Sequence, residues 1–154
     1  NGSQTIELWT AQGNPTAGSV IVNFTSSNYV VVFVDKFQNV NPFVPFESAA
    51  GANTNGQDST LCSTGPSTAF TNLNLTSTVN NALLHVITGA RNQTITAAEP
   101  DYDQLAYETA GISGNFINSY LHQMVLTLAG TDNISHQLNS SVGAWVTAGI
   151  VIRP

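Results

Sequence analysis

Hydrophobic residues along this chain recur at every second position rather than every third or fourth, and no other feature restricts the fold so much. Residues 72–76 (Asn-Leu-Asn-Leu-Thr), the series Met124, Leu126, Leu128 and the series Val146, Ala148, Ile150, Ile152 all show it. Successive side chains of an extended chain point to opposite faces, so this spacing predicts strands with one face buried. Two segments, 20–22 (Val-Ile-Val) and 29–34 (Tyr-Val-Val-Val-Phe-Val), are instead continuously apolar and β-branched. Such runs predict strands covered on both faces, by a sheet or by a neighbouring subunit. Ser26, Ser27 and Asn28 between them predict a turn, and the pair reads as a β-hairpin.

Further strands are predicted at 5–10, 82–87, 105–109 and 116–121, which brings the chain to about eight to ten short strands and to an antiparallel β-sandwich. Composition points the same way. Thr, Asn, Ser and Gln make up 57 of 154 residues, an uncharged polar surface suited to strands and turns rather than solvated helices. Short helices at 78–87, capped by Thr78, and at 99–107, with Pro100 in the first turn, are the competing readings. Residues 47–67 lack any sustained period and predict a long exposed loop of the kind that often carries function. No repeat or linker divides the chain, so residues 1–154 read as one globular domain.

Charge narrows the functional classes. Nine acidic residues against three basic ones leave a net charge of −6, and Lys36, Arg91 and Arg153 stand far apart. A nucleic-acid binder needs clustered cations, so that class is excluded. The longest apolar run, residues 29–34, falls well short of the roughly 20 residues a membrane-spanning helix requires, so no membrane insertion is expected. A single cysteine, Cys62, cannot form an internal disulfide and reads as an inert loop thiol.

Catalytic chemistry finds no foothold. The Gly-x-Ser-x-Gly signature of a nucleophile elbow is absent. His85, His122 and His136 lie apart, without the spacing that aims two imidazoles at one metal. Glu99, Asp101 and Asp103 alternate along an extended segment, yet Leu105 and Ala106 stand where a calcium loop wants an oxygen ligand and a glycine, so they read as a solvated acidic loop. The expectation is no enzyme, no metal and no cofactor.

Six Asn-x-Ser/Thr sequons occur, at Asn1, Asn23, Asn74, Asn92, Asn133 and Asn139. Composition alone accounts for roughly half of them. The abundance of amides and hydroxyls, with Tyr29, Tyr102, Tyr107 and Tyr120 among them, is the kit that recognises sugars through directed hydrogen bonds and flat apolar faces. Trp9 and Trp145 sit in apolar strand patterns and are expected in a core or an interface. Arg91 is more pointed: with Asn92, Gln93 and Thr94 it forms a polar turn-like segment between strands. A guanidinium flanked by amides suits a carboxylate-bearing sugar, so these four residues are the candidate ligand site.

Residues 7–10, Glu-Leu-Trp-Thr, resemble the Thr-Leu-Trp-Thr boundary of adenovirus fibre proteins, where the thin trimeric shaft gives way to the globular head. Three of the four residues match, and the all-β patterning that follows resembles a fibre head in organisation, most like the compact heads of avian siadenoviruses. The resemblance implies residues 1–10 as the shaft–head boundary strand and an antiparallel β-sandwich assembled as a homotrimer. It also implies a place at the fibre tip on the virion surface, assembly in the host nucleus, and attachment to a cell-surface receptor without catalysis. Siadenovirus heads are similar to sialic-acid lectins, so a sialylated glycan is the implied receptor. A head using a protein receptor through residues 47–67, and a monomeric secreted carbohydrate-binding module, are the alternatives.

Overall fold

The computed structural model describes residues 5–13, 18–25, 29–53, 62–64, 71–98, 101–139 and 144–154. Among these, ten strands form and no helix: β1 (Phe46–Asn53), β2 (Cys62–Thr64), β3 (Leu73–Ser77), β4 (Ala82–Arg91), β5 (Ile95–Ala98), β6 (Asp103–Ile112), β7 (Asn115–Leu126), β8 (Gly130–Ile134), β9 (His136–Leu138) and β10 (Trp145–Ile152). A six-stranded sheet runs in the order β2-β1-β10-β4-β7-β6, and two-stranded sheets β3-β8 and β5-β9 accompany it. All pairings are antiparallel except the three-residue contact of β1 with β2, which is parallel.

The core lies between the large sheet and the two small ones. Leu84, Val86, Thr88 and Ala90 of β4 face it, beside Val151, Gly149, Thr147 and Trp145 of β10 in register. Leu73 and Leu75 of β3 and Ile134 of β8 close over them. Contact is closest at Gly149, where an added Cβ would stand 2.7 Å from Leu75 Cδ1 and 2.9 Å from Val86 Cγ2. A glycine there lets the layers meet without displacing a core side chain. Thr88 and Thr147, both buried, satisfy one another through a 2.9 Å hydroxyl–hydroxyl hydrogen bond. This layering is consistent with a β-sandwich.

Part of the opposite face of the large sheet is covered by residues 35–45 of the same chain. Asp35 lies 3.4 Å from His85 Nε2, and Phe37 packs edge-on against the same imidazole at 4.9 Å. The segment then turns at Asn41, whose side-chain oxygen accepts from the backbone N–H of Phe43 and Val44. It ties to the end of β10 through Asn41 N–H to Arg153 O and Arg153 N–H to Pro45 O. Glu47 then locks three elements together, accepting from Ser77 Oγ, the Thr78 N–H and hydroxyl, and Arg153 Nη2. Burial disfavours the Glu47 carboxylate, but these hydrogen bonds, Thr78 foremost, outweigh it and hold its pKa down at about 2.

The N-terminal third departs from the sequence reading. Described residues of 5–10, 20–22 and 29–34 form no strand, and no hairpin pairs 20–22 with 29–34; the turn expected at 26–28 lies outside the described residues. A strand exists only where a neighbour completes its hydrogen-bond ladder, and the large sheet takes its central partners from β1, β10, β4 and β7 instead. Trp145 is buried as expected, but Trp9 is 87% exposed, its indole N–H donating to Glu7. Neither helix forms where the alternatives placed one: β4 spans 82–91 and β6 begins at Asp103, while Glu99 and Pro100 lie outside the described residues. The predicted 47–67 loop is also corrected, because 47–53 belong to β1 and 62–64, Cys62 included, form β2. The even-numbered series of β10 turns away from the main core, which takes the odd-numbered side chains. Leu128 falls beyond β7 and is exposed.

Packing at the layer contact is expected to set stability. Leu75→Ala should lower the unfolding free energy by about 2–5 kcal/mol in a urea titration, and Gly149→Val by about 1–3 kcal/mol through overpacking. Ile21→Ala, in the exposed N-terminal run, should change it by less than about 0.5 kcal/mol. Equal sensitivity at Ile21 and Leu75 would contradict this assignment of the core.

Candidate functional site

Arg91, Asn92, Gln93 and Thr94 occupy the connection from β4 to β5, at one end of the sheets. Arg91 closes β4: its N–H donates to Ala144 O, and its guanidinium reaches Asn115 Oδ1 at 3.4 Å. Asn92 follows in the left-handed region at φ 53°, a conformation that asparagine tolerates and that turns the chain out of the strand. It exchanges two hydrogen bonds with Phe116, N–H to O and Oδ1 from N–H, both 2.9 Å. Thr94 N–H donates to Asn139 Oδ1, and Asn139 N–H returns to Thr94 O. Two hydrogen-bonded groups thus flank the turn: Arg91 with Asn115 and Asn92 with the half-buried Phe116 at the β4 end, and Thr94 with Asn139 at the β5 end.

Gln93 is placed differently from the expectation. It is buried, its backbone carbonyl accepting from Asn118 Nδ2 at 2.6 Å, while its own amide oxygen and nitrogen have no hydrogen-bond partner. The turn reverses direction within two residues, so one side chain of the four must point inward. The exposed hydrogen-bonding set is therefore Arg91, Asn92 and Thr94, supplemented by Asn115 and Asn139, which the sequence reading did not include. Asn115 lies far from Arg91 in sequence and reaches it through the pairing of β7 with β4, while Asn139 is tied to Thr94.

A second cluster also escaped the sequence. His122 on β7 and His136 on β9 stand edge to face with ring centroids 4.3 Å apart, both fully buried. Tyr102 and Tyr120 pack on His122, and Tyr120 also on His136. His136 Nδ1 meets the Thr71 hydroxyl at 3.1 Å, but His136 Nε2 and both nitrogens of His122 have no hydrogen-bond partner. The tyrosine hydroxyls are bonded in turn: Tyr102 donates to the Asp132 carboxylate and Tyr120 to the Gln104 amide oxygen. Burial pushes His136 down to about 4 and His122, with His136 and His85 adding to the effect, down to about 2. Both are neutral imidazoles at ordinary pH. The inward parity of His122, shared with Tyr120 and Met124, was the available signal.

Among the described residues no group of three or more His, Cys, Asp or Glu side chains is arranged to hold a metal ion. Asp101 and Asp103 are exposed and Glu99 lies outside the described residues. Of the sequon asparagines within the described residues, Asn23, Asn74, Asn92, Asn133 and Asn139 are all exposed. Asn74 and Asn133 face each other across β3 and β8, joined at 2.6 Å. No family model matches the chain, and no curated protein or solved structure is significantly similar to it.

The buried imidazoles generate an acid dependence. Their folded pKa values lie below the unfolded value near 6.5, so the unfolded chain binds more protons below that pH. Stability is then fully present above pH 6.5 and lost as pH falls toward 4. Each imidazole is expected to remove about 2 kcal/mol between pH 7 and pH 5. His122→Phe should flatten that slope in thermal melts; an unchanged slope would show that the pair does not carry it.

Proposed function

We propose that this chain is a non-catalytic glycan-binding head that recognises a carboxylate-bearing, sialylated glycan at the Arg91 end of its sheets and acts as a homotrimer in host-cell attachment. The observation that carries the reading is the setting of Arg91. A guanidinium reaches Asn115 there, the next residue, Asn92, is bonded to the half-buried Phe116, and Thr94, three residues on from Arg91, is bonded to Asn139. A carboxylate accepts charge-assisted hydrogen bonds from a guanidinium, sugar hydroxyls exchange hydrogen bonds with amides, and a pyranose face lies against an aromatic ring. The side chains of Asn92 and Asn139 are held by backbone N–H groups before any ligand arrives, which lowers the ordering cost of binding. Attachment to a virion rests on the resemblance of residues 7–10 to the fibre boundary.

Charge sets the terms of such binding. A net charge of −6 on each copy does not steer an anionic sugar inward. Screening within about 8 Å at physiological salt leaves the contact to the local donors. Single-site affinity is then weak, and several sites in one assembly supply the avidity. The exposure of Asn74, Asn133 and Asn139 favours a second reading, a secreted module that itself carries glycans, for which a protomer of monomeric mass is the expectation.

Binding of the purified chain to a glycan array, with a sialidase-treated duplicate, tests the proposal. Signal confined to sialylated glycans, lost on treatment and reduced at least tenfold by Arg91→Ala, is expected for a charge-assisted contact. Unchanged binding by Arg91→Ala at unchanged assembly mass would remove the site, and binding indifferent to sialidase would remove the ligand class.

A further inference from the structure

From Leu8 to Val34 the chain carries no charged side chain, and within that stretch its most apolar residues are left in the open. Ile21 is 78% exposed, Val20 67% and Phe24 53%; neighbouring residues of both parities are exposed, so neither face of this segment lies against the protein. Among the described residues, no backbone hydrogen bond joins 18–25 or 29–34 to any other part of the chain. An isolated β-branched run without ladder partners or burial has no physical reason to persist in water. Its side chains are those of a strand, and what it lacks is an edge.

The same chain presents one. β6 is the outermost strand of the large sheet, ten residues long, and contains neither lysine nor proline, two of the devices that blunt natural edges; its one bulge, at Leu105, lies near the start, and 106–112 beyond it run in regular register. Among the described residues its outer side pairs with no strand. Instead, residues Val30 to Phe33 run past it across an open cleft of about 330 Å³, lined on the other side by Ala106, Glu108, Thr109 and Ala110. Among the described residues, a sheet edge and a segment outside every ladder thus flank a gap, the setting in which a strand can be added.

We infer that residues 20–24 of one copy add as a strand to the β6 edge of a second copy, between β6 and that copy's residues 30–33. Within one chain the two parts that lack partners are complementary in kind: a neutral apolar donor and an edge whose own charges, Asp103 and Glu108, are acidic. Because the donor is uncharged, it adds no like-charge contact at the junction of two copies that each carry −6. Each copy both gives and accepts a strand, so the contact is head-to-tail and closes into a ring when the rotation between copies allows. The inference rests on the homotrimer of the proposed function and names its contact; it does not involve the Arg91 site.

Sedimentation equilibrium of the full chain, from about 1 to 100 μM, reads the outcome. The wild type should sediment at the trimer mass. Ile21→Lys, exposed and outside the core, should melt as the wild type does yet weaken association at least tenfold. A synthetic peptide of residues 18–25 should bind the Ile21→Lys protein and compete with assembly of the wild type. If Ile21→Lys assembles as the wild type does, strand addition is overturned while the homotrimer stands. A wild type that is monomeric throughout overturns both, and if its 20–24 amides are then protected from exchange, the segment has folded onto its own chain. Glycan binding that survives or fails in any of these cases bears on the Arg91 site alone.

Discussion

Strand β4 is buried on both faces, and the rest of the structure follows from the need to cover it. Leu84, Val86, Thr88 and Ala90 look into the main core, while His85 and Gly89 look the other way and are buried as well. A sheet with two apolar faces needs two covers. The β3-β8 and β5-β9 sheets supply one. Residues 35–45, anchored at His85 and Arg153, supply part of the other. This segment is therefore structural without being a strand: Phe37 packs on the sheet while the backbone stays outside the ladders.

Polar groups inside this arrangement fall into two kinds. Thr88 with Thr147, and Glu47 with Ser77, Thr78 and Arg153, are satisfied and fasten neighbouring elements together. His122, His136 and Gln93 are buried with hydrogen-bonding capacity unused. Buried unsatisfied groups are costly, and an imidazole that must stay neutral ties stability to pH. The first kind specifies the fold; the second makes it conditional.

Much of this organisation was legible in the sequence. Alternation at 73–77 identified β3, and the runs beginning at 82, 105 and 116 identified β4, β6 and β7, because those strands keep one face polar or meet a core that demands a strict period. Failure came where period and burial part company. The continuous run at 29–34 has the composition of a central strand but no hydrogen-bond partner within the chain, and composition reports burial more faithfully than pairing. In β10 both faces are apolar, so the series Val146, Ala148, Ile150, Ile152 was visible while the core-facing series Trp145, Thr147, Gly149, Val151, broken by a threonine and a glycine, was not. At the candidate site, Arg91, Asn92 and Thr94 were found from turn chemistry. Asn115 and Asn139 join them only through long-range pairing, as His136 joins His122, and no local pattern encodes such meetings.

The chain folds around a sheet whose faces are largely covered, leaves apolar strand-forming sequence exposed at 20–24, and on our proposal uses that sequence for assembly. Amide hydrogen exchange followed by mass spectrometry at low and high protein concentration tests it most directly. The account predicts slowest exchange in β4 and β10 at both concentrations, with residues 20–24 unprotected when dilute and protected when concentrated. Rapid exchange in β4, or protection of 20–24 that does not depend on concentration, would contradict it.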